Sequence, residues 1–188
     1  MEVTRLAIPE VCLLAPRKHG DHRGFFSETY SKRAFAEAGI AVDFVQDNHS
    51  LSAEPGTLRG LHFQVPPHAQ AKLLRVVRGA VFDVAVDLRH GSPTYGRHVS
   101  AVISAAAWNQ IYVPTGFAHG FCTLEPATEV LYKVSDFYAP EAEQGLAWDD
   151  PELAIDWPEG AGAVLSERDT SWPRLRDLSR VFQYGKGS

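Results

Sequence analysis

Gly56-Thr57-Leu58-Arg59-Gly60-Leu61-His62-Phe63-Gln64 reads as a β-strand, and eight residues further on Lys72 opens a second apolar, strand-like run. Arg59, His62 and Lys72 therefore fall within one β-rich region. Cations and imidazoles set among apolar strand residues need a compensating partner or a ligand, because burying an unpaired charge is costly. Side chains alternate between the two faces of a strand, so His62 and Gln64 share a face and Arg59 takes the other. Aiming Arg59 and His62 into one pocket requires a bend or bulge, and Gly60 is the residue available to supply it.

Working outward, strand-like segments run from Arg5 to Ala7, Gly24 to Tyr30, Ala41 to Ser50, Lys72 to Val77, Gly79 to Leu88, Gly96 to Ile103, Gln110 to Val113, Ala118 to Leu124 and Thr128 to Val134. Short strands at this spacing, with turn residues between them, predict an all-β, antiparallel architecture. One early helix is predicted, with Ser31 as its N-cap, Ala34, Phe35, Ala36 and Ala38 inside, and Gly39 as its stop. From Trp148 onward Pro151, Pro158, Gly160, Gly162 and Pro173 break the pattern. This C-terminal segment is expected to pack on the barrel as turns and short helices, within a single domain spanning 1–188. In Phe82 to Leu88 one face is wholly apolar, and the other carries Asp83, Ala85 and Asp87. Asp83 on such a strand lines a polar cavity or meets water.

A chain of 188 residues, 45% hydrophobic and 22% charged, is long and apolar enough to bury one sizeable core. Its formal net charge of −5 gives no general attraction for nucleic acid or anionic membrane, so any bound anion must be held by locally placed Arg and Lys. Cys12 and Cys122 are too few for a disulfide scaffold and lack metal-site spacing. No apolar run approaches the roughly 18 residues of a membrane span, and Val11 to Ala15 is too short for a signal core. A soluble cytoplasmic protein is expected.

Pro114-Thr115-Gly116-Phe117-Ala118-His119 fits the P-x-G-x-x-H pattern of the second cupin motif. The first cupin motif would span Gly60 to Gly79 and supply two histidines and a glutamate as metal ligands. Here His62 is present, but Gln64 and Lys72 stand near the other ligand positions. Two imidazoles fall short of the three protein ligands usual at a catalytic metal, and an ammonium repels a divalent cation. No metal is expected.

Arg23-Gly24-Phe25-Phe26-Ser27-Glu28, Phe44-Val45-Gln46-Asp47-Asn48-His49-Ser50, Gly56 to Gln64, Gln70 to Gly79, Pro114 to Phe121 and Tyr132-Lys133-Val134 resemble, in order and spacing, the dTDP-4-dehydrorhamnose 3,5-epimerase family. The resemblance runs from about Thr4 to Trp172. It implies a cupin-type jelly-roll barrel, a homodimer, no metal and no redox cofactor. The implied reaction inverts C3 and C5 of a dTDP-4-keto-6-deoxy-hexose.

Inverting a carbon beside a ketone takes a base, a group to hold the enolate oxygen, and an acid on the opposite face. His62 suits the base, because an imidazole titrates near working pH. The resemblance makes Asp169 its partner, although on sequence alone Asp169 reads as a solvated loop carboxylate. Lys72 carries the charge an enolate oxygen needs, and Tyr132 resembles the family's proton donor. Arg23 and Arg59 resemble phosphate contacts, suited by their forked donors. Phe26, Glu28, Gln46, Asn48, Tyr138, Glu143 and Arg168 align with nucleotide contacts, and His119 with a polar contact beside the sugar or the base. The resemblance further implies that some of these come from the partner chain. Phe137 stands where many relatives carry tyrosine. An enzyme inverting C3 alone, a non-catalytic sugar-nucleotide binder and a metal-dependent cupin oxygenase are the competing readings.

Overall fold

Fifteen strands are formed in the computed structural model, which describes residues 1–185. In chain order they are β1 (Glu2–Arg5), β2 (Cys12–Ala15), β3 (His19–Asp21), β4 (Gly24–Phe26), β5 (Gln46–Ser52), β6 (Leu58–Gln64), β7 (Lys72–Arg78), β8 (Ala80–Asp87), β9 (Arg89–His90), β10 (His98–Ser104), β11 (Gln110–Val113), β12 (Phe117–Thr123), β13 (Thr128–Val134), β14 (Glu143–Gly145) and β15 (Phe182–Gln183). Eleven of them make two sheets, one in the order β1-β2-β11-β7-β13-β5 and the other β10-β8-β12-β6-β14. Every pairing within these two sheets is antiparallel.

The sheets face one another across an apolar interior. Leu74, Val76, Ile111, Val113 and Val130 come from the first sheet; Val81, Ala85, Val99, Ile103, Phe117 and Phe121 come from the second. Each of the Val, Leu, Ile and Phe side chains among them contributes about 1.5–3 kcal/mol on burial. Parts of both outer faces are covered as well, although Leu51 of β5 and Val102 of β10 stay exposed. Leu61, Phe63, Val84, Val86 and Ala118 turn outward against Leu146, which follows β14, and against Leu153 and Phe182 of the C-terminal segment. The helix α1 (Lys32–Glu37) and the turn after it bring Phe35 and Ile40 onto Cys12, Leu14, Leu73 and Tyr112. A sheet buried on both faces explains why β12 is buried along its whole length.

Several boundaries differ from the sequence-based expectation. The N-terminal strand is Glu2–Arg5 rather than Arg5 to Ala7, and its partner Cys12–Ala15 went unmarked because four apolar residues ahead of a proline show no alternation. Of Gly24 to Tyr30 only Gly24–Phe26 is strand, and β5 begins at Gln46 rather than Ala41. Ser31 occupies the N-cap in extended conformation without a side-chain capping bond, and Gly39 follows the helix at φ +85°.

Gly60 does what strand parity required. In the β6–β12 ladder His62 pairs with His119 and Arg59 with Phe121, so Gly60 and Leu61 together oppose Gly120 alone. Gly60 has φ +133°, and a Cβ there would stand 2.5 Å from the Gly120 Cα. The extra residue inverts the alternation. Arg59 and His62 both turn into the barrel, while Leu61 and Phe63 turn out to the second apolar layer.

Candidate active site

A cavity of about 700 Å³ opens between the two sheets. From the five-stranded sheet it receives Arg59 and His62 of β6, His119 of β12 and Glu143 of β14. From the six-stranded sheet it receives Gln46 and Asn48 of β5, Lys72 of β7 and Tyr132 of β13. Tyr138, Arg168 and Asp169 complete the wall from loops. Eleven of the fourteen residues expected from the sequence thus converge on one space.

His62 is anchored from behind by a carboxylate 107 positions away. Its Nε2 lies 2.5 Å from Asp169 Oδ1, in a 3₁₀ turn formed by Arg168–Thr170. Asp169 also accepts hydrogen bonds from Ser166 Oγ at 2.9 Å and Trp172 Nε1 at 3.2 Å. Burial works to raise the Asp169 carboxyl, but the His62 bond and charge, with the Ser166 and Trp172 bonds, outweigh it and hold it below the usual carboxylate range. An ionised carboxylate can only accept, so His62 Nε2 is the donor in this bond, and the tautomer it selects for the neutral imidazole is the one with its lone pair on Nδ1.

The turn reaches His62 because Trp172 can lie down on Gly145, the residue paired with His62 in β14. A Cβ at Gly145 would sit 2.2 Å from the Trp172 ring. Trp172 in turn meets the His62 imidazole edge to face, with ring centroids 6.0 Å apart. Gly145, Trp172 and Ser166 are positioning residues that the sequence-based reading did not pick out. Their signal is a three-dimensional one.

Lys72 and Tyr132 come from the opposite sheet. The Lys72 ammonium donates to the His62 backbone carbonyl at 3.2 Å, which fixes it across the cavity beside the histidine. Burial pulls Lys72 down to about 8, with Asp83 and then Glu143 acting in the other direction. Tyr132 stands one strand over in β13. Burial pushes its phenol up, only partly offset by Arg59, so the hydroxyl keeps its proton at neutral pH.

Around the mouth, Glu143 accepts from the Tyr138 hydroxyl at 2.7 Å and pairs with Arg168 at 2.5 Å. Gln46 donates to Asn48 at 2.9 Å and accepts from the Tyr138 backbone N–H at 3.1 Å. Arg59 is steadied by Ser52 Oγ and the Leu51 carbonyl. His119 is bonded to Asp83, a fully buried carboxylate that sequence parity left between cavity and solvent. Gln64 is occupied structurally: its amide donates to the His68 and Phe137 carbonyls and accepts from Ala139 N–H. Among the described residues no group of three or more His, Cys, Asp or Glu side chains is gathered as a metal site.

Three expected residues lie elsewhere. Arg23 sits in the β3–β4 hairpin, its side chain 78% exposed and paired with Asp21. Phe26 on the same hairpin is 72% exposed, and Glu28 just beyond it is exposed as well. The hairpin and its flanking residues dock on Trp108 through Phe25, Lys18 and Ser27, and Arg23, Phe26 and Glu28 are absent from the wall of their own chain's cavity.

A family model described as dTDP-4-dehydrorhamnose 3,5-epimerase matches residues 5–177. The chain is 57% identical over 178 residues to dTDP-4-dehydrorhamnose 3,5-epimerase of Pseudomonas aeruginosa, covering 94% of this chain and 97% of that protein. To the enzyme of the same name from Sinorhizobium fredii it is 54% identical over 181 residues, covering 96% and 93%. A crystal structure of dTDP-6-deoxy-D-glucose-3,5-epimerase from Legionella pneumophila, in complex with dTDP-4-keto-L-rhamnose, matches with a TM-score of 0.91. Its identity is 40%, over 97% of this chain and 98% of that one. With the paired sheets and the shared cavity already in place, a match of this length and identity assigns the chain to the dTDP-4-dehydrorhamnose 3,5-epimerase family.

Proposed function

We propose that this chain inverts C3 and C5 of dTDP-4-dehydro-6-deoxy-D-glucose, giving dTDP-4-dehydro-L-rhamnose through enolates. The observation that carries the chemistry is the His62–Asp169 pair on one sheet facing Tyr132 and Lys72 on the other, all on one cavity. Both carbons flank the same C4 ketone, so one oxygen-holding group serves both inversions. His62 Nδ1 takes the α-proton, and Asp169 stabilises the imidazolium that forms. The Lys72 ammonium meets the charge growing on the C4 oxygen. Tyr132 returns a proton from the far side, and the configuration inverts. Substrate and product share one oxidation state, so the sequence of steps calls for no redox cofactor.

The remaining residues serve binding. Arg59 and Arg23 grip the diphosphate. Phe26 and Tyr138 stack on the thymine, Glu28, Gln46, Asn48, Glu143 and Arg168 bond to its edge and sugar, and His119 contacts the hexose. Arg23, Phe26 and Glu28 reach a cavity as part of a homodimer, each hairpin completing the partner's site; this is supported by their exposure on a hairpin remote from their own chain's cavity. Cytoplasmic residence fits a nucleotide-sugar substrate, and no helix is long and apolar enough to cross a membrane among the described residues.

Turnover in deuterated buffer is the direct test. Label at both C3 and C5 is expected; label at C3 alone would make this a single-centre epimerase, and binding with no label at either carbon would leave a non-catalytic binder. Arg59→Ala and Arg23→Ala are each expected to weaken dTDP binding roughly 10–100-fold, since a hydrogen bond to a charged group contributes about 1.5–3 kcal/mol. Calorimetry showing an unchanged Kd for either variant removes that arginine from the phosphate site. A monomer mass in sedimentation would contradict the shared site.

A further inference from the structure

Two carboxylates are fully buried among the described residues, Asp83 and Asp87. Asp87 is explained by local structure. The Arg89 guanidinium, Ser92 and Thr94 all bond to it, at 2.6–2.9 Å, and tie down the loop after β8. Asp83 has no such cage. Its two oxygens lie 2.9 and 3.0 Å from a single nitrogen, Nε2 of His119.

Asp83 stands on the inner face of β8 between Val81 and Ala85, with Phe121 opposite it on β12. Core packing alone gives no reason for a carboxylate there, because replacing a buried ion pair by well-packed apolar side chains is often neutral or stabilising. What lies next to it does. His119 is on the cavity wall and pairs in register with His62, and the His62 carbonyl holds the Lys72 ammonium. Asp83 itself is not part of the wall, so it acts on substrate only through these neighbours.

We propose that Asp83 is a positioning residue for the reaction: it fixes the His119 ring from behind and keeps the Lys72 ammonium charged at the place where negative charge develops on the substrate. The proposal rests on the assignment of Lys72 given above. The other ionisable groups turned to the same cavity are Arg59, His62 and His119 on β6 and β12, Tyr132 on β13, Glu143 on β14, and Tyr138, Arg168 and Asp169 on the loops. Of the carboxylates acting on Lys72, Asp83 has the larger effect and Glu143 the smaller. An ammonium that has lost its buried counter-charge gives up its proton more readily.

The experiment is the pH profile of kcat/KM for Asp83→Asn, which preserves shape and removes charge. The alkaline limb of the wild-type enzyme is expected near the Lys72 titration, at about 8. In Asp83→Asn it should move down by about one pH unit or more, the size usual for loss of a close counter-charge, while dTDP affinity at neutral pH is kept. A purely structural role would lower activity evenly across pH. If Asp83→Asn fails to fold, the wild-type protein still answers: the carboxyl 13C resonance of Asp83 should shift with the Lys72 midpoint and lose that transition in Lys72→Met. A folded Asp83→Asn with the limb unmoved, or an Asp83 resonance blind to Lys72, overturns the proposal. An alkaline limb that survives in Lys72→Met would instead count against the role given to Lys72 itself.

Discussion

Replacing His62 with alanine is expected to lower turnover by about 10²–10⁴-fold, the usual contribution of a positioned general base, with dTDP affinity nearly unchanged. The separation follows from where His62 sits. It is on β6 against Asp169 and Trp172, whereas most groups assigned to the nucleotide occupy β5, β14, the loops around the mouth and the β3–β4 hairpin with Glu28 just beyond it; Arg59 shares β6 with His62 but is held separately, by Ser52 and the Leu51 carbonyl. Removing the imidazole deletes the proton acceptor and leaves those groups in place. Solvent deuterium should then cease to enter C3 and C5. Tyr132→Phe is expected to behave differently: His62 can still remove a proton and return it to the same face, so exchange continues while inversion is lost. Wild-type turnover in His62→Ala, or equal loss of exchange and inversion in Tyr132→Phe, would dismantle this division of labour.

How much of this was legible in the sequence depends on the distance over which each signal acts. Strand alternation is local, and the barrel strands from Leu58 onward were found with boundaries shifted by a residue or two. The bulge at Gly60 was also legible, because parity set Arg59 against His62 and one glycine lay between them. Short edge elements were not: Glu143–Gly145 is three residues long and owes its strand character to pairing with β6. Asp169 was readable only through family resemblance. Its partner is 107 positions away, and nothing in Glu167-Arg168-Asp169-Thr170 distinguishes it from a solvated loop. Asp83 was ambiguous for a related reason. Alternation placed it on a face but could not say that His119, 36 positions on, would meet it there.

Lys72→Met is expected to cut kcat/KM by about 10²–10³-fold, the loss typical when one donor to a developing oxyanion is removed. Its effect on stability should have the opposite sign. Lys72 is drawn down to about 8 by burial, below the value of a free lysine, so the folded state disfavours its charge. Between about 8 and the ordinary lysine range near 10.4 the unfolded chain binds more protons than the folded one. Stability therefore rises with pH across that window, and the deficit is fully present below it. Activity runs the other way: kcat/KM for the wild type should fall as pH rises through about 8, as the ammonium becomes a neutral amine. Methionine abolishes both dependences. The variant should melt at the same temperature as wild type or higher at pH 7, while turning over substrate poorly and without the alkaline limb. A Lys72→Met protein that is both less stable and fully active would show that the ammonium holds the barrel together and does not serve the enolate. Opposed shifts in melting and turnover would identify a charge kept in an apolar cavity, at a cost in stability, for what it does to the substrate.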